Sequence, residues 1–223
     1  MNKKLIIFDC DGTLVDTEFL GATAFTRALA KFDIHYDPQD FQNEFIGTNN
    51  NDTVRILNAR HKVDLPFEDL TRVYMEEMFL TIPINMRVLP ESLEYVRGLA
   101  DRDDIQIVVG SNGNKAVVID ELRHAGYLDA ISVDRIAVAS DVARPKPHPD
   151  LFLHLAATHG VAPEDCVVVE DSPTGARAGL AAGMRVVGYT GLSHMPDAAR
   201  VALENAGVSR IINQLPMLDA HLT

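Results

Sequence analysis

Short apolar runs alternate with stretches of helical periodicity along most of the chain. Several runs have the length of strands and are almost continuously apolar, which is typical of a parallel sheet covered on both faces. They span Leu5–Phe8, Ile105–Val109, Ile136–Ala139, Val167–Val169 and Val186–Tyr189. Helical patterns between them lie near Glu91–Ala100, Lys115–Ala125, Pro149–His159 and Pro173–Ala182. This alternation predicts a doubly wound α/β core built on a parallel sheet.

One block of the chain, residues 16–87, breaks this alternation because it shows helical patterns without strands. Its apolar residues recur at helical spacing in three stripes, which are Phe25, Leu29 and Phe32; Phe41 and Phe45; and Phe67, Leu70, Tyr74 and Met78. Such stripes are typical of core packing between helices. We therefore expect an all-helical domain at 16–87, inserted into a core domain formed by residues 1–15 and 88–223.

The net charge of −12 narrows the range of partners. A chain this acidic lacks the basic surface that binds nucleic acid or an anionic membrane, so neither partner is expected. Cys10 and Cys166 lack the spacing of a metal or redox pair and resemble small buried hydrophobic residues. No apolar run is long enough to span a bilayer or to form a signal segment, so we expect a cytoplasmic protein. The sequence leaves the oligomeric state open.

Chemically active side chains follow the ends of four predicted strands. They are Asp9 and Asp11, then Ser111 and Asn112, then Lys146, and finally Glu170 and Asp171. In an open α/β sheet, ligands bind beyond the carboxyl ends of the strands, so these side chains are expected to converge. Clustered carboxylates repel one another unless a cation is present, and carboxylate oxygens suit Mg²⁺. With Lys146 and Ser111 beside them, these carboxylates form a set of groups suited to phosphoryl transfer.

These residues together resemble the four motifs of the haloacid dehalogenase-like (HAD) superfamily. The first motif is Asp9-Cys10-Asp11-Gly12-Thr13, and the others are carried by Ser111, Lys146 and Glu170-Asp171. The stretch 168–184 is similar to the β-phosphoglucomutase-like branch, whose members insert a helical cap after the first strand. The resemblance implies a Rossmann-like HAD core with an all-helical cap, and a phosphoryl-transfer enzyme that requires Mg²⁺.

The resemblance also implies a role for each matching residue. Asp9 would be the nucleophile and a metal ligand. Asp11 would offer its backbone carbonyl to the metal and its side chain as general acid and base. Asp171 would be a third ligand, and Glu170 would contribute to the metal site through water. The remaining roles concern the phosphoryl group: Ser111 and the backbone N–H of Asn112 would hold it, and Lys146 would neutralise it.

Several activities remain open on this fold, and the leading expectation is a phosphatase for a small, sugar-type phosphorylated metabolite. Asp11 argues against a dehalogenase, and the segment 45–50 contains no lysine for a phosphonate-cleaving enzyme. A phosphosugar mutase of the β-phosphoglucomutase type is the alternative. Cationic residues of those mutases are replaced by Gly21, Ile46 and Asn50, which favours hydrolysis. A binding module with an inactive site is disfavoured because no motif residue is missing. Candidates for substrate selection are Glu18, Asn49 and Asn50.

Overall fold

A computed structural model describes residues 3–45, 48 and 50–222, without the side chains of Glu18 and Asn85. Its centre is a parallel sheet in the order β3-β2-β1-β4-β5-β6. The strands are β1 (Lys4–Phe8), β2 (Ile105–Ser111), β3 (Ile136–Val138), β4 (Cys166–Glu170), β5 (Arg185–Tyr189) and β6 (Ile211–Ile212). The predicted α/β class and all five predicted strands are therefore confirmed.

The helices are α1 (Glu18–Ala30), α2 (Pro38–Phe45), α3 (Asn50–His61), α4 (Phe67–Asn85), α5 (Pro90–Ala100), α6 (Lys115–His124), α7 (Asp150–Thr158), α8 (Pro173–Ala181) and α9 (Pro196–Asn205). Two of the helices that follow strands, α6 and α8, begin with a residue whose side chain caps the helix. Asn114 accepts a hydrogen bond from the Ala116 backbone N–H at the start of α6, and Ser172 accepts one from Gly175 at the start of α8. None of the described helices combines the length and the apolar character needed to cross a bilayer.

Strand β1 lies in the middle of the sheet, between β2 and β4, and its side chains from Leu5 to Phe8 are fully buried. On one face it packs with Val108 and Val168 of the neighbouring strands and with Phe152 of α7. Burial on both faces explains why these strands are continuously apolar in sequence. The order also places the carboxyl ends of β1, β2 and β4 side by side.

Contacts divide the chain into two compact units, one of residues 1–16 and 87–223 and one of residues 17–86. The second unit consists of α1 to α4, and its interior combines aliphatic side chains with aromatic rings. The rings of Phe25 and Phe41 are stacked, with their centroids 5.2 Å apart, and the ring centroids of Phe41 and Phe45 are 4.6 Å apart. The assignment of the two units as a core domain and a cap domain stays a prediction.

The sequence analysis missed some elements and misjudged some limits. It did not anticipate α3, α9 or the two-residue strand β6. Helix α4 contains Pro83 within its last turn and ends at Asn85. Strand β3 ends at Val138, since Ala139 begins a short 3₁₀ turn.

Candidate active site

The ends of β1, β2 and β4, together with the loop after β3 that carries Lys146, bring seven predicted site residues to one cavity of about 270 Å³. These residues are Asp9, Asp11, Ser111, Asn112, Lys146, Glu170 and Asp171, and the lining also includes Gly113, Ser172 and Thr174. All of them belong to the unit that contains the sheet. Residues more than 150 positions apart in sequence therefore meet at one edge of the sheet, as parallel topology requires.

A buried lysine links the two carboxylates that follow β1 and end β4. The Lys146 ammonium donates to Asp9 Oδ1 at 2.6 Å and to Glu170 Oε1 at 2.7 Å. All three side chains are at least nine-tenths buried. Burial by itself lowers the pKa of Lys146, but the two carboxylates outweigh it and hold that pKa above its ordinary value. Lys146 is therefore a fixed positive charge against Asp9.

The position of Lys146 is set by its backbone as well as by its ammonium group. The Asn112 side chain donates from Nδ2 to the Lys146 carbonyl at 3.0 Å, and Asn112 Oδ1 accepts from the Lys146 N–H at 3.1 Å. The ammonium also lies 4.9 Å from the centroid of the Phe152 ring. The loop after β2 thus fixes the lysine that contacts the residue after β1.

Ser111, the last residue of β2, connects the loop after this strand to Asp11. Its hydroxyl donates to Asp11 Oδ2 at 3.3 Å and accepts from the Gly113 N–H at 2.9 Å. Ser111 is buried, whereas Asp11 is partly exposed towards the cavity. The hydroxyl therefore lies close to the carboxylate that the sequence analysis assigns as general acid and base.

Glu170 has partners on both carboxylate oxygens. Besides its contact with Lys146, Oε2 accepts from both the backbone N–H and the hydroxyl of Ser172 at 2.9 Å. The Ser172 hydroxyl in turn caps α8, so Glu170 ties the lysine to the start of this helix. Gly175 leaves the space for that carboxylate, since a Cβ at this position would collide with it.

Gly12 allows Asp171 to approach the loop after β1. Its φ angle is +73°, a conformation that residues with a Cβ rarely adopt, and a Cβ there would collide with Asp171 Oδ2. The turn at Gly12 therefore makes room for a carboxylate as well as turning the chain.

The carboxylates of this site fit a metal ion. Asp9, Glu170 and Asp171 can each place one oxygen within 4.8 Å of the others. Burial, with further contributions from the neighbouring acids, raises the pKa of Asp9 to about 8 and that of Asp171 well above its usual range. A divalent cation removes this conflict because it favours the charged form of each carboxylate. Oxygen donors of this kind suit hard cations.

Of the three predicted specificity residues, Glu18, Asn49 and Asn50, the structure describes the side chain of Asn50. Asn49 and the Glu18 side chain lie outside the described residues, as does Ile46. Asn50 begins α3 and lines a separate cavity of about 260 Å³ within the helical unit. The other lining residues are Gly21, Ala22, Phe25, Phe41, Gln42, Phe45, Thr48, Thr53 and Tyr74. This lining combines aromatic faces with amide and hydroxyl groups, and none of these described residues carries a charge.

Sequence reasoning missed two features of the site. It assigned only the backbone N–H of Asn112, whereas the structure gives the Asn112 side chain two hydrogen bonds to Lys146. It also overlooked Glu121, which is buried close to Cys10 and Asp11. A signal was present, because Glu121 occupies the same face of α6 as Val117, Val118 and Leu122.

Comparisons with known proteins agree with this geometry. A family model described as haloacid dehalogenase-like hydrolase matches residues 6–189. The chain is 31% identical over 189 residues to 6-phosphogluconate phosphatase of Escherichia coli, covering 82% of this chain and 80% of that protein. It is 33% identical over 188 residues to fructose-1-phosphate phosphatase of the same organism, covering 82% and 94%. Among solved structures, it is similar to a HAD family hydrolase from Deinococcus radiodurans with bound phosphate and sodium, with a TM-score of 0.77, 31% identity and coverage of 99% and 95%.

Proposed function

This chain belongs to the haloacid dehalogenase-like hydrolase family, and we propose that it is a Mg²⁺-dependent phosphatase for a small sugar-type phosphate, acting through a phosphorylated Asp9. The observation that carries the proposal is the buried contact of Lys146 with Asp9 in a cavity lined by further carboxylates. Phosphoryl transfer needs a nucleophile, an acid and base, and local positive charge, and this cavity contains residues suited to each task.

Asp9, Asp171 and the backbone carbonyl of Asp11 are the proposed Mg²⁺ ligands. Glu170 is proposed to act through water, because Lys146 and Ser172 already contact its two carboxylate oxygens. Bound Mg²⁺ would offset the negative charge of the phosphoryl oxygens in a protein whose net charge is −12. Lys146 supplies a second, permanent positive charge at the same place.

Asp9 and Asp11 divide the chemistry between them. The Asp9 carboxylate attacks phosphorus, and the alcohol leaves with a proton from Asp11. Asp11 then takes a proton from water, which attacks the phosphorus of the acyl phosphate and releases inorganic phosphate. Ser111 and the Asn112 N–H hold the phosphoryl oxygens, and the 3.3 Å contact between Ser111 and Asp11 favours alignment of the phosphoryl group with the acid.

The substrate class rests on the relatives. Two of them are named for phosphates of small sugars or sugar acids, 6-phosphogluconate and fructose 1-phosphate. We infer that this chain also acts on a monophosphate of this kind. Asn50 remains a candidate for substrate selection because it lines the cavity of the helical unit, and Glu18 and Asn49 remain candidates from the sequence alone.

The charge of that cavity favours hydrolysis over mutase chemistry. A mutase must hold two phosphoryl positions, and a second phosphoryl group is best held by arginine or lysine. The described residues that line the cavity, including Gly21 and Asn50, provide no such cation. Loss of one bidentate arginine contact costs a few kcal/mol, which is roughly a hundredfold in binding.

A panel of sugar monophosphates tests the proposal. With Mg²⁺ we expect release of inorganic phosphate from at least one sugar monophosphate, and loss of that activity with a chelator. The glucose phosphates are also assayed for isomerisation in the presence of the bisphosphate activator. Isomerisation that outruns phosphate release would identify a mutase, and absence of Mg²⁺-dependent release across the panel would contradict the proposal.

A further inference from the structure

A thiol and two carboxylates meet beside Asp9, on residues without an assigned metal role for their side chains. Cys10, Asp11 and Glu121 can each place one ligand atom within 4.8 Å of the others. The Cys10 thiol donates to Glu121 Oε2 at 3.8 Å. Cys10 and Glu121 are almost completely buried, while Asp11 is partly exposed and lines the cavity of about 270 Å³. Asp11 is therefore the member of the cluster that borders the cavity.

Glu121 is the second observation that points to a ligand. It lies on the apolar face of α6 with only 1% of its surface exposed, and its Oε1 has no hydrogen-bond partner among the described residues. Burial deprives both the Glu121 carboxyl and the Cys10 thiol of water, which disfavours their charged forms. A buried carboxyl with an unpaired oxygen is costly, and a cation would remove that cost.

We propose that Cys10, Asp11 and Glu121 form a binding site for a thiophilic divalent cation of the Zn²⁺ type. Typical zinc bonds are about 2.3 Å to sulfur and about 2.0 Å to oxygen, so tetrahedral ligation places sulfur and oxygen about 3.5 Å apart. The 3.8 Å between Cys10 Sγ and Glu121 Oε2 is close to this separation. On binding, any proton carried by the Cys10 thiol or the Glu121 carboxyl is released to solvent, and both groups ligate as anions.

The chemistry of the donors separates this site from the Mg²⁺ site. Thiolate selects soft or borderline ions, whereas the proposed Mg²⁺ ligands are all oxygen atoms. The two sites share only Asp11, through its carboxylate here and through its backbone carbonyl there. A cation held by Cys10 and Glu121 would occupy the carboxylate that otherwise serves as acid and base. The site is therefore inhibitory.

Direct binding tests the site without relying on activity, so its outcome is independent of the proposed phosphatase function. Cd²⁺ is titrated into the full chain, and the ultraviolet charge-transfer band of a cadmium thiolate is recorded. We expect a band that saturates at one ion per chain and disappears in Cys10→Ala and Cys10→Ser. Cys166→Ala is the matched control, since Cys166 is also a buried free cysteine, and it should retain the band. Glu121→Gln should weaken binding about tenfold or more.

Inhibition by Zn²⁺ at saturating Mg²⁺ provides the second measurement. Zn²⁺ should inhibit the original protein and the Cys166→Ala variant alike. The Cys10→Ser and Glu121→Gln variants should each need about tenfold more Zn²⁺, or a larger excess, for the same degree of inhibition. Unfolding curves verify that each variant is folded. A cadmium thiolate band that survives Cys10→Ser, or binding and inhibition unchanged by Glu121→Gln, would overturn the proposal.

Discussion

Replacing Lys146 by Met removes the only charge that the structure places between the Asp9 and Glu170 carboxylates within the described residues. At 2.6 and 2.7 Å, Coulomb's law with an effective dielectric constant of about 20 gives roughly 6 kcal/mol for each contact. Desolvation of the ions opposes this attraction, and removing one partner of a buried pair costs about 3–5 kcal/mol in practice. We therefore expect Lys146→Met to lower the free energy of unfolding by that amount.

Urea unfolding in a chelator measures this loss without interference from metal. Lys115→Met is the matched control, because Lys115 also contacts a carboxylate, Asp141, at 3.0 Å, but at the surface. Its loss should cost less than about 1 kcal/mol. Adding Glu170→Gln to Lys146→Met should restore part of the stability, since one unpaired carboxylate is then neutral. If Lys146→Met lowers the free energy of unfolding no more than Lys115→Met does, the contacts of Lys146 with Asp9 and Glu170 do not stabilise the fold as proposed.

Three other substitutions test separate parts of the site. Asp171→Asn should raise the Mg²⁺ concentration needed for half-maximal activity about tenfold or more, and an unchanged metal titration would remove Asp171 from the ligand set. Gly12→Ala should destabilise the protein by more than about 1 kcal/mol, because φ is +73° and the methyl group meets Asp171, whereas Gly98→Ala, in a helix with free space, should be neutral or stabilising. Glu121 holds its proton to about pH 9 when folded but to about 4.5 when unfolded, so its contribution to stability is present below pH 4.5 and lost as the pH rises towards 9. The free energy of unfolding of the original protein and of Glu121→Gln is measured at pH 5 and at pH 8 in a chelator. Between these pH values it should fall less in the variant, by on the order of a few kcal/mol. An equal fall in the original protein and the variant would contradict the raised pKa of Glu121.

The parts of the fold that could be predicted are those that periodicity controls. Strands such as Leu5–Phe8 are buried on both faces, so their apolar runs are continuous and their ends mark the loops that carry Asp9 and Asp171. Strand β6 could not be recognised, because two residues, Ile211 and Ile212, are too short to show any period. Its place in the sheet comes from pairing with β5, which is information that local sequence does not contain.

The candidate site divides in the same way. Residues at strand ends, such as Ser111 and Glu170, could be assigned to one edge because parallel topology brings those ends together. The two hydrogen bonds between the Asn112 side chain and Lys146 could not be predicted, because they depend on how two loops pack against each other. Glu121 was recognisable only by its place on the apolar face of α6, where a charged residue is out of pattern.

The central claim, that the phosphoryl group passes through Asp9, is tested most directly by trapping it on the protein. The chain is mixed with Mg²⁺ and an accepted sugar phosphate, quenched in acid during turnover, digested and analysed by mass spectrometry. We expect a phosphorylated peptide containing Asp9 in the original protein. A folded Asp9→Asn variant should show neither that phosphorylated peptide nor release of phosphate. Turnover by Asp9→Asn at a rate close to that of the original protein, or a phosphoryl group found on another residue, would contradict this mechanism.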